Sequence, residues 1–328
     1  MKHLPEKLYA QEILDETEAC ELLLQFAEGA LNDSQVSSLL SVYSMRSPSV
    51  AELKGFRKAM LLLGIVPQLD ATNAVDIVGT GGDGKNTFNI STLSAIVVAA
   101  AGIQVVKHGN YAAGSVSGSS NVLEYLGYRF TADNSSLQKQ LEQNNLCFLH
   151  APFFHPAMKR AATARKELGI RTFFNLLGPV INPAQPGAQL LGVSRLSMVR
   201  LYQYLLENTV SKYHIVHALD GYDEISLTGK FKLVTRHTEQ ILTPADLGFE
   251  MVHAAALHAG NSVADAAKIF VDVLQCNAAI ARQQVVIANS GFAIHCAHPE
   301  QTREACFDLA KDALLSGKAF RLFKKITQ

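Results

Sequence analysis

The chain has no excess of charge of either sign. Lys plus Arg and Asp plus Glu both number 29 over 328 residues, so no long-range field gathers nucleic acid. Cysteine is scarce. Cys20, Cys147, Cys276, Cys296 and Cys306 are odd in number and form no C-x-x-C pair, which excludes a disulfide framework. This is the usage of a reduced, cytoplasmic protein, with Cys147 expected as a buried strand residue. The opening residues Met1-Lys2-His3-Leu4-Pro5-Glu6-Lys7 lack the apolar run of a secretory signal. The longest nearly apolar stretch, residues 93–106, is broken by Ser94, Gly102 and Gln104 and falls short of the ~20 residues of a membrane span. Internal repeats and low-complexity linkers are missing as well. What is left is a length sufficient for one large or two ordinary globular domains.

The most informative stretch lies between Asp76 and Thr92 and reads Asp-Ile-Val-Gly-Thr-Gly-Gly-Asp-Gly-Lys-Asn-Thr-Phe-Asn-Ile-Ser-Thr. An apolar strand over 75–78 runs into a loop with Gly79, Gly81, Gly82 and Gly84. Asn89, Ser91 and Thr92 then lead into the apolar run 93–102, a helix start. Glycines let backbone turn tightly against a ligand, and the amides of a helix N-terminus carry positive partial charge. The place suits phosphate or pyrophosphate. Gly79, Gly81 and Gly84 match G-x-G-x-x-G, but the acidic residue needed about 20 positions on is missing, because Gln104-Val105-Val106-Lys107-His108 is basic. Gly79 to Lys85 also begins a P-loop, yet Asn86 stands where Ser or Thr must hold magnesium. Both motifs fail at a chemically necessary residue.

Around this loop the pattern divides in two. In the first part, Asn32 or Asp33 can cap a helix carrying Val36, Leu39, Leu40 and Tyr43. Ser49-Val50-Ala51-Glu52 is a capping box ahead of Leu53, Phe56, Met60 and Leu63, and Pro67 closes a series without strands. From Ala74 the chain alternates. Strands are expected at 74–78, 104–107, 147–150, 189–193 and 214–219, and helices near 93–101, 122–126, 156–168 and 196–206; the chain beyond 255 is helix-rich. Alternation implies a largely parallel sheet flanked by helices, with ligands beyond the carboxyl ends of its strands. The loops 79–92, 107–119 and 220–226 would lie there. The fold class is therefore α/β with a separate small all-α domain.

Other residues fit the same chemistry. Lys107 ends a β-branched strand, where an ammonium offers compact positive charge to a phosphate, although an isolated lysine there is more often solvated. Ser117-Gly118-Ser119-Ser120 supplies hydroxyls and amides at another helix start, or merely a cap. Asp223-Glu224 is a candidate magnesium site, because adjacent carboxylates on a turn diverge and magnesium takes one or two carboxylates plus substrate phosphate oxygens. A plain turn is the ordinary alternative. Asp83 carries the wrong charge for phosphate and would face a metal, a ribose hydroxyl, an incoming amine or its own loop. Arg165 lies one turn before Gly169, a helix terminator, and could serve only the helix dipole.

Taken together, Gly79-Thr80-Gly81-Gly82-Asp83, Thr87-Phe88-Asn89-Ile90-Ser91-Thr92, Lys107-His108-Gly109-Asn110, His155-Pro156-Ala157-Met158-Lys159, residues 165–172, Phe174-Asn175-Leu176-Leu177-Gly178-Pro179 and residues 220–226 resemble the anthranilate phosphoribosyltransferases of tryptophan biosynthesis, nearly end to end. The resemblance implies a phosphorylase/phosphoribosyltransferase-like fold, with a helical domain over 1–70 that recruits about 165–190 and forms a homodimer contact, and an α/β domain over 71–328. It implies that phosphoribosyl pyrophosphate is held by Gly79, Thr80, Gly81, Gly82, Asp83, Thr87, Asn89, Ser91, Thr92, Lys107 and Ser119. Anthranilate falls to Gly79, His108, Asn110, His155 and Arg165, and two magnesium ions per subunit to Ser91, Asp223 and Glu224. A planar guanidinium suits the anthranilate carboxylate, whereas a lone histidine such as His155 is more often structural. No residue presents itself as a general base. Where many members carry Arg and a Ser-Ser pair, this chain has Tyr111 and Ala113-Gly114, which bears on acceptor preference. The alternatives are a pyrimidine nucleoside phosphorylase-like enzyme, which should lack the block from Arg165 to Pro179, and a non-catalytic nucleic-acid-binding relative, which should be basic with a degraded acidic pair.

Overall fold

The computed structural model describes residues 3–112, 116–159, 164, 167–169 and 172–328. The chain forms two compact units, Met1–Pro67 with Ala151–Pro183, and Gln68–His150 with Ala184–Gln328.

The first unit is helical. Helices α1 (His3–Tyr9), α2 (Glu16–Glu28), α3 (Asp33–Met45) and α4 (Val50–Leu62) open it. Asp15, Asn32 and Ser49 each close a capping box with the residue three positions on, so Asn32 rather than Asp33 is the cap of α3. Gly55 brings α4 close to α2. A Cβ there would stand 2.7 Å from the Ala19 Cβ and 2.8 Å from the Cys20 nitrogen. Phe56, Tyr43 and Phe173 build an aromatic core with ring centroids 4.5–5.2 Å apart. Inside it Glu52 is fully buried, taking Arg46 through both oxygens at 2.6 and 2.8 Å and the Tyr43 hydroxyl at 2.9 Å.

The second unit is built on one sheet. Among the described residues its strands are β1 (Val75–Gly79), β2 (Val105–Gly109), β3 (Leu146–His150), β4 (Ala188–Gly192), β5 (Lys212–Ala218), β6 (Phe231–Thr235) and β7 (Glu239–Leu242), in the order β3-β2-β1-β4-β5-β6-β7. The first five pair in parallel and β6 and β7 add an antiparallel edge. The five expected strands are all present, and Cys147 is buried on β3. The hairpin β6–β7 went unread. Its outer strand is short and half exposed, so the burial that produces an apolar pattern is missing. Helix Asn134–Asn144 was also missed, because only Leu137 and Leu141 are buried in an otherwise polar stretch.

The apolar run after the glycine loop forms helix α5 (Ile90–Ala100), buried along nearly its whole length against the sheet and against helix Ile280–Ala297. That accounts for hydrophobicity without a membrane. No helix among the described residues is long and apolar enough to cross one. Strand order reverses direction at β1. From it the chain winds outward through β2 and β3, then returns to β4 on the other side. Such a switch point leaves a crevice at the carboxyl ends of β1 and β4.

Candidate phosphate and metal site

β1 ends at Gly79, in register with Gly192 at the end of β4. The loop that follows turns through left-handed backbone at Gly81, Gly82 and Gly84, with φ of 65°, 73° and 74°. Side chains rarely adopt these values, so the glycines are required by the path itself. Thr80 ties the loop to β4. Its N–H donates to the Gly192 carbonyl at 2.9 Å and its hydroxyl oxygen accepts from the Ser194 N–H at 3.1 Å. Ser194 was not among the residues singled out from the sequence. After β5 the chain turns back through Asp223 and Glu224, which press against the same loop. A Cβ on Gly79 would strike the Asp223 carboxylate, and one on Gly192 would overlap the Asp223 carbonyl oxygen.

The two acids diverge. Asp223 accepts from the Gly81 N–H at 2.6 Å, within the glycine loop. Glu224 accepts from the Ser91 N–H at 3.0 Å, in the first turn of α5, and from the Thr87 hydroxyl at 3.4 Å. Both acids thus rest on N–H groups of the kind an anionic substrate would use. Lys107 is almost wholly buried beneath them. Its ammonium donates to the Ile77 carbonyl and lies 3.5 Å from the Ser91 hydroxyl. Asn89 starts α5 without capping it, its amide nitrogen donating to the Ser117 carbonyl at 3.4 Å. Ser119 donates to the Asn110 carbonyl at 3.2 Å, which joins the loop after β2 to the start of helix α6 (Ser119–Tyr125). Gly79, Thr80, Gly81, Gly82, Asp83, Thr87, Asn89, Ser91, Thr92, Lys107, His108, Asn110, Ser119, Asp223 and Glu224 all belong to this one unit, on β1, β2, the turns following β1, β2 and β5, or the first turns of α5 and α6.

Residues 71–320 match the Glycosyl transferase family a/b domain, and residues 2–64 match the helical bundle domain of that family. An anthranilate phosphoribosyltransferase of Cytophaga hutchinsonii is 50% identical over 325 residues, covering 99% of either chain. One from Bacteroides thetaiotaomicron is 49% identical, covering all of this chain and 99% of its own. The chain belongs to the anthranilate phosphoribosyltransferase family. Among solved members, that of Thermus thermophilus superposes with a TM-score of 0.92 at 33% identity, covering 99% of this chain and 98% of that one. The Saccharomyces cerevisiae enzyme in complex with PRPP and Mg gives 0.90 at 27% identity, covering 98% and 95%. Neither the nucleoside phosphorylase nor the nucleic-acid-binding alternative is favoured by these likenesses.

Electrostatics single out the acidic pair within this family frame. Burial, and next the charge of Asp83, push the Asp223 carboxyl up to about 7. Burial and the neighbouring Asp223 and Asp83 charges raise Glu224 well above the usual carboxylate range. Lys107 is lowered by burial, against the pull of Asp76, Glu224 and Asp223. Asp83 has one oxygen on the Lys85 N–H at 3.0 Å, while the other is buried with no N–H or hydroxyl partner among the described residues, and the carboxylate lies against that of Asp223. Three crowded carboxylates with an unmatched oxygen form a hard-oxygen environment deficient in positive charge. Divalent magnesium fits that donor set. Among the described residues no group of three or more His, Cys, Asp or Glu side chains forms a ready cage.

The acceptor candidates are spread wider. His108 is buried at the end of β2, its N–H donating to Asp76 at 3.3 Å. His155 belongs to the helical unit, where it is buried, hydrogen-bonded to the Ile181 carbonyl at 2.8 Å and packed against Gly64. Burial lowers its pKa. Arg165, Arg171, Ala113 and Gly114 lie outside the described residues; Gly169 takes φ 63°, suited to ending a helix. Of the expected helix 156–168, Pro156 and Ala157 form a turn, and residues 158, 159, 164, 167 and 168 are helical.

Proposed function

We propose that this chain transfers the phosphoribosyl group of phosphoribosyl pyrophosphate to the amine of anthranilate and releases pyrophosphate. The observation that carries the reading is the convergence of Asp223 and Glu224 on the glycine loop and the α5 N-terminus, in a chain of this family. The large unit carries the sugar diphosphate and the metal. Gly79, Thr80, Gly81, Gly82, Asp83, Thr87, Asn89, Ser91, Thr92 and Ser119 form the diphosphate cradle. Lys107 acts from beneath as the counter-charge that keeps the acids and Ser91 in place.

Ser91, Asp223 and Glu224 would hold magnesium, two ions per subunit, which neutralises charge on the pyrophosphate when bound. In the reaction the Gly81 and Ser91 N–H groups, which Asp223 and Glu224 hold in the free protein, would pass to the departing pyrophosphate as its charge grows. Removing one such donor typically costs ~3 kcal/mol of barrier. The reaction is displacement at ribose C1 with oxocarbenium character. The aniline nitrogen is already nucleophilic, so His108, Asn110 and Arg165 need only bring it close and hold its carboxylate. Two further elements complete the reading. One is homodimer assembly through the helical unit, where Ile13, Met45 and Leu62 are more than 60% exposed. The other is a reducing, cytoplasmic setting, in keeping with five free cysteines. The direct test is loss of anthranilate fluorescence on adding phosphoribosyl pyrophosphate, with and without a chelator. Turnover that is absent, or indifferent to the chelator, would refute the assignment, and phosphorolysis of thymidine in its place would point to the phosphorylase.

A further inference from the structure

The loop after β2 is anchored by a residue outside the diphosphate cradle. Tyr111 follows Asn110 and is held at both ends of its side chain. Its hydroxyl donates to a Glu124 oxygen on α6 at 2.9 Å. Its ring meets His150 edge-on, with centroids 4.7 Å apart at 79°. His150 is itself fixed, stacked on Phe130 at 4.8 Å and hydrogen-bonded to the Ser120 hydroxyl at 2.9 Å. Tyr111, though 44% exposed, is therefore seated against the carboxyl end of β3.

The main chain of this pinned residue controls its neighbour. The Tyr111 N–H donates to Asn110 Oδ1 at 2.8 Å. A peptide N–H can only donate, so the carboxamide oxygen must face it and the amide orientation is settled. The Asn110 main-chain carbonyl is also engaged, by the Ser119 hydroxyl at 3.2 Å and the Ser120 N–H at 3.3 Å. The Asn110 side-chain amide nitrogen has no partner among the described residues, and Asn110 is exposed. The loop therefore presents N–H donors at Asn110, with both of its oxygens engaged. That polarity suits a carboxylate and disfavours a ligand group that must donate.

We infer that Tyr111 is a positioning residue for acceptor specificity, holding the Asn110 carboxamide donor-outward so that the site selects an aromatic amine bearing a carboxylate. The inference rests on the proposed phosphoribosyl transfer to anthranilate. Glu124 is its partner in this role, acting through the Tyr111 hydroxyl.

Steady-state kinetics on the full chain, varying anthranilate and phosphoribosyl pyrophosphate separately, provide the test. Tyr111→Phe keeps the ring and loses the Glu124 bond. It should raise KM for anthranilate about tenfold, as expected for a hydrogen bond to a charged group, while KM for the sugar donor and kcat stay within about twofold. Glu124→Ala should match it, Glu124→Gln should restore most of the loss, and the double variant Tyr111→Phe with Glu124→Ala should be no worse than either single change. Tyr111→Ala should give a larger effect of the same selectivity; the two milder variants decide the matter if it does not fold. An unchanged KM for anthranilate, an equal rise for both substrates, or additive losses in the double variant would overturn the role of Tyr111. Failure of the wild-type protein to consume anthranilate would overturn the proposed function and this inference with it.

Discussion

Gly192 offers a sharp test of how the sheet sets the acidic pair. It lies at the end of β4, opposite Gly79, and its backbone is not in the left-handed region, so alanine is tolerable there on local grounds. The added Cβ would overlap the Asp223 carbonyl oxygen. Neither atom is the end of a flexible side chain, so strand and turn must separate. Overpacking of this kind costs about 1–3 kcal/mol, and at roughly 2–4 °C per kcal/mol the melting temperature should fall by about 2–12 °C. Against a total stability of about 5–15 kcal/mol the protein stays folded at 25 °C. The catalytic effect should be far larger, because a displacement of about 1 Å in a positioned group can cost about 10²-fold in rate. Gly192→Ala should therefore lose about two orders of magnitude in kcat by the fluorescence assay, with its circular dichroism spectrum unchanged at 25 °C. Gly229→Ala is the control, since a Cβ there meets nothing within 4 Å. A Gly192→Ala protein that is less stable yet turns over normally would refute the claim that the end of β4 positions Asp223 and Glu224.

Other perturbations follow from the same geometry. The raised Asp223 carboxyl, at about 7, favours its protonated form in the fold, so the stability it supplies is present below the ordinary carboxylate range and lost as pH rises through 7. Asp223→Asn should therefore raise the melting temperature of the magnesium-free protein at pH 8, by up to about 4 kcal/mol in stability, and leave it unchanged near pH 4; a gain that does not vary with pH would count against the burial argument. Glu52 behaves oppositely. Burial pushes it up, but Arg46, the Ser49 N–H and Tyr43 outweigh burial and hold it below the usual range, so its stabilisation is lost on acidification. Glu52→Ala strands Arg46 and should cost about 3–5 kcal/mol in urea unfolding, and a loss below 1 kcal/mol would show the cluster to be dispensable. Arg165→Ala should raise KM for anthranilate well above any change for the sugar donor, and equal changes would remove its acceptor role.

Much of this is legible in the sequence because short-range rules write it. Asn32 and Ser49 act as caps within three residues of themselves, and the five parallel strands are largely buried and so read as apolar runs. The glycine loop was readable because left-handed turns at Gly81, Gly82 and Gly84 admit little else. The rest depends on distant pairings that leave no local trace. The Thr80 contact with Ser194 spans 114 residues, and the Gly81 contact with Asp223 spans 142. Nothing around Tyr111 in the chain announces His150 or Glu124 as its neighbours. Lys107 is a further case, since its strand-end position is visible in the sequence and its complete burial is not.

By itself the sequence determined the kind of groups at hand: glycines where backbone must turn left-handed, a pair of adjacent acids, and an alternation that lays strands in parallel. Tertiary structure decided the charge state and aim of those groups. Only when β1 and β4 lie side by side do two carboxylates from residues 223 and 224 meet N–H groups from residues 81 and 91, and burial there raises their pKa values. Desolvation depends on everything that surrounds a group, most of it distant along the chain, and no window of sequence contains it.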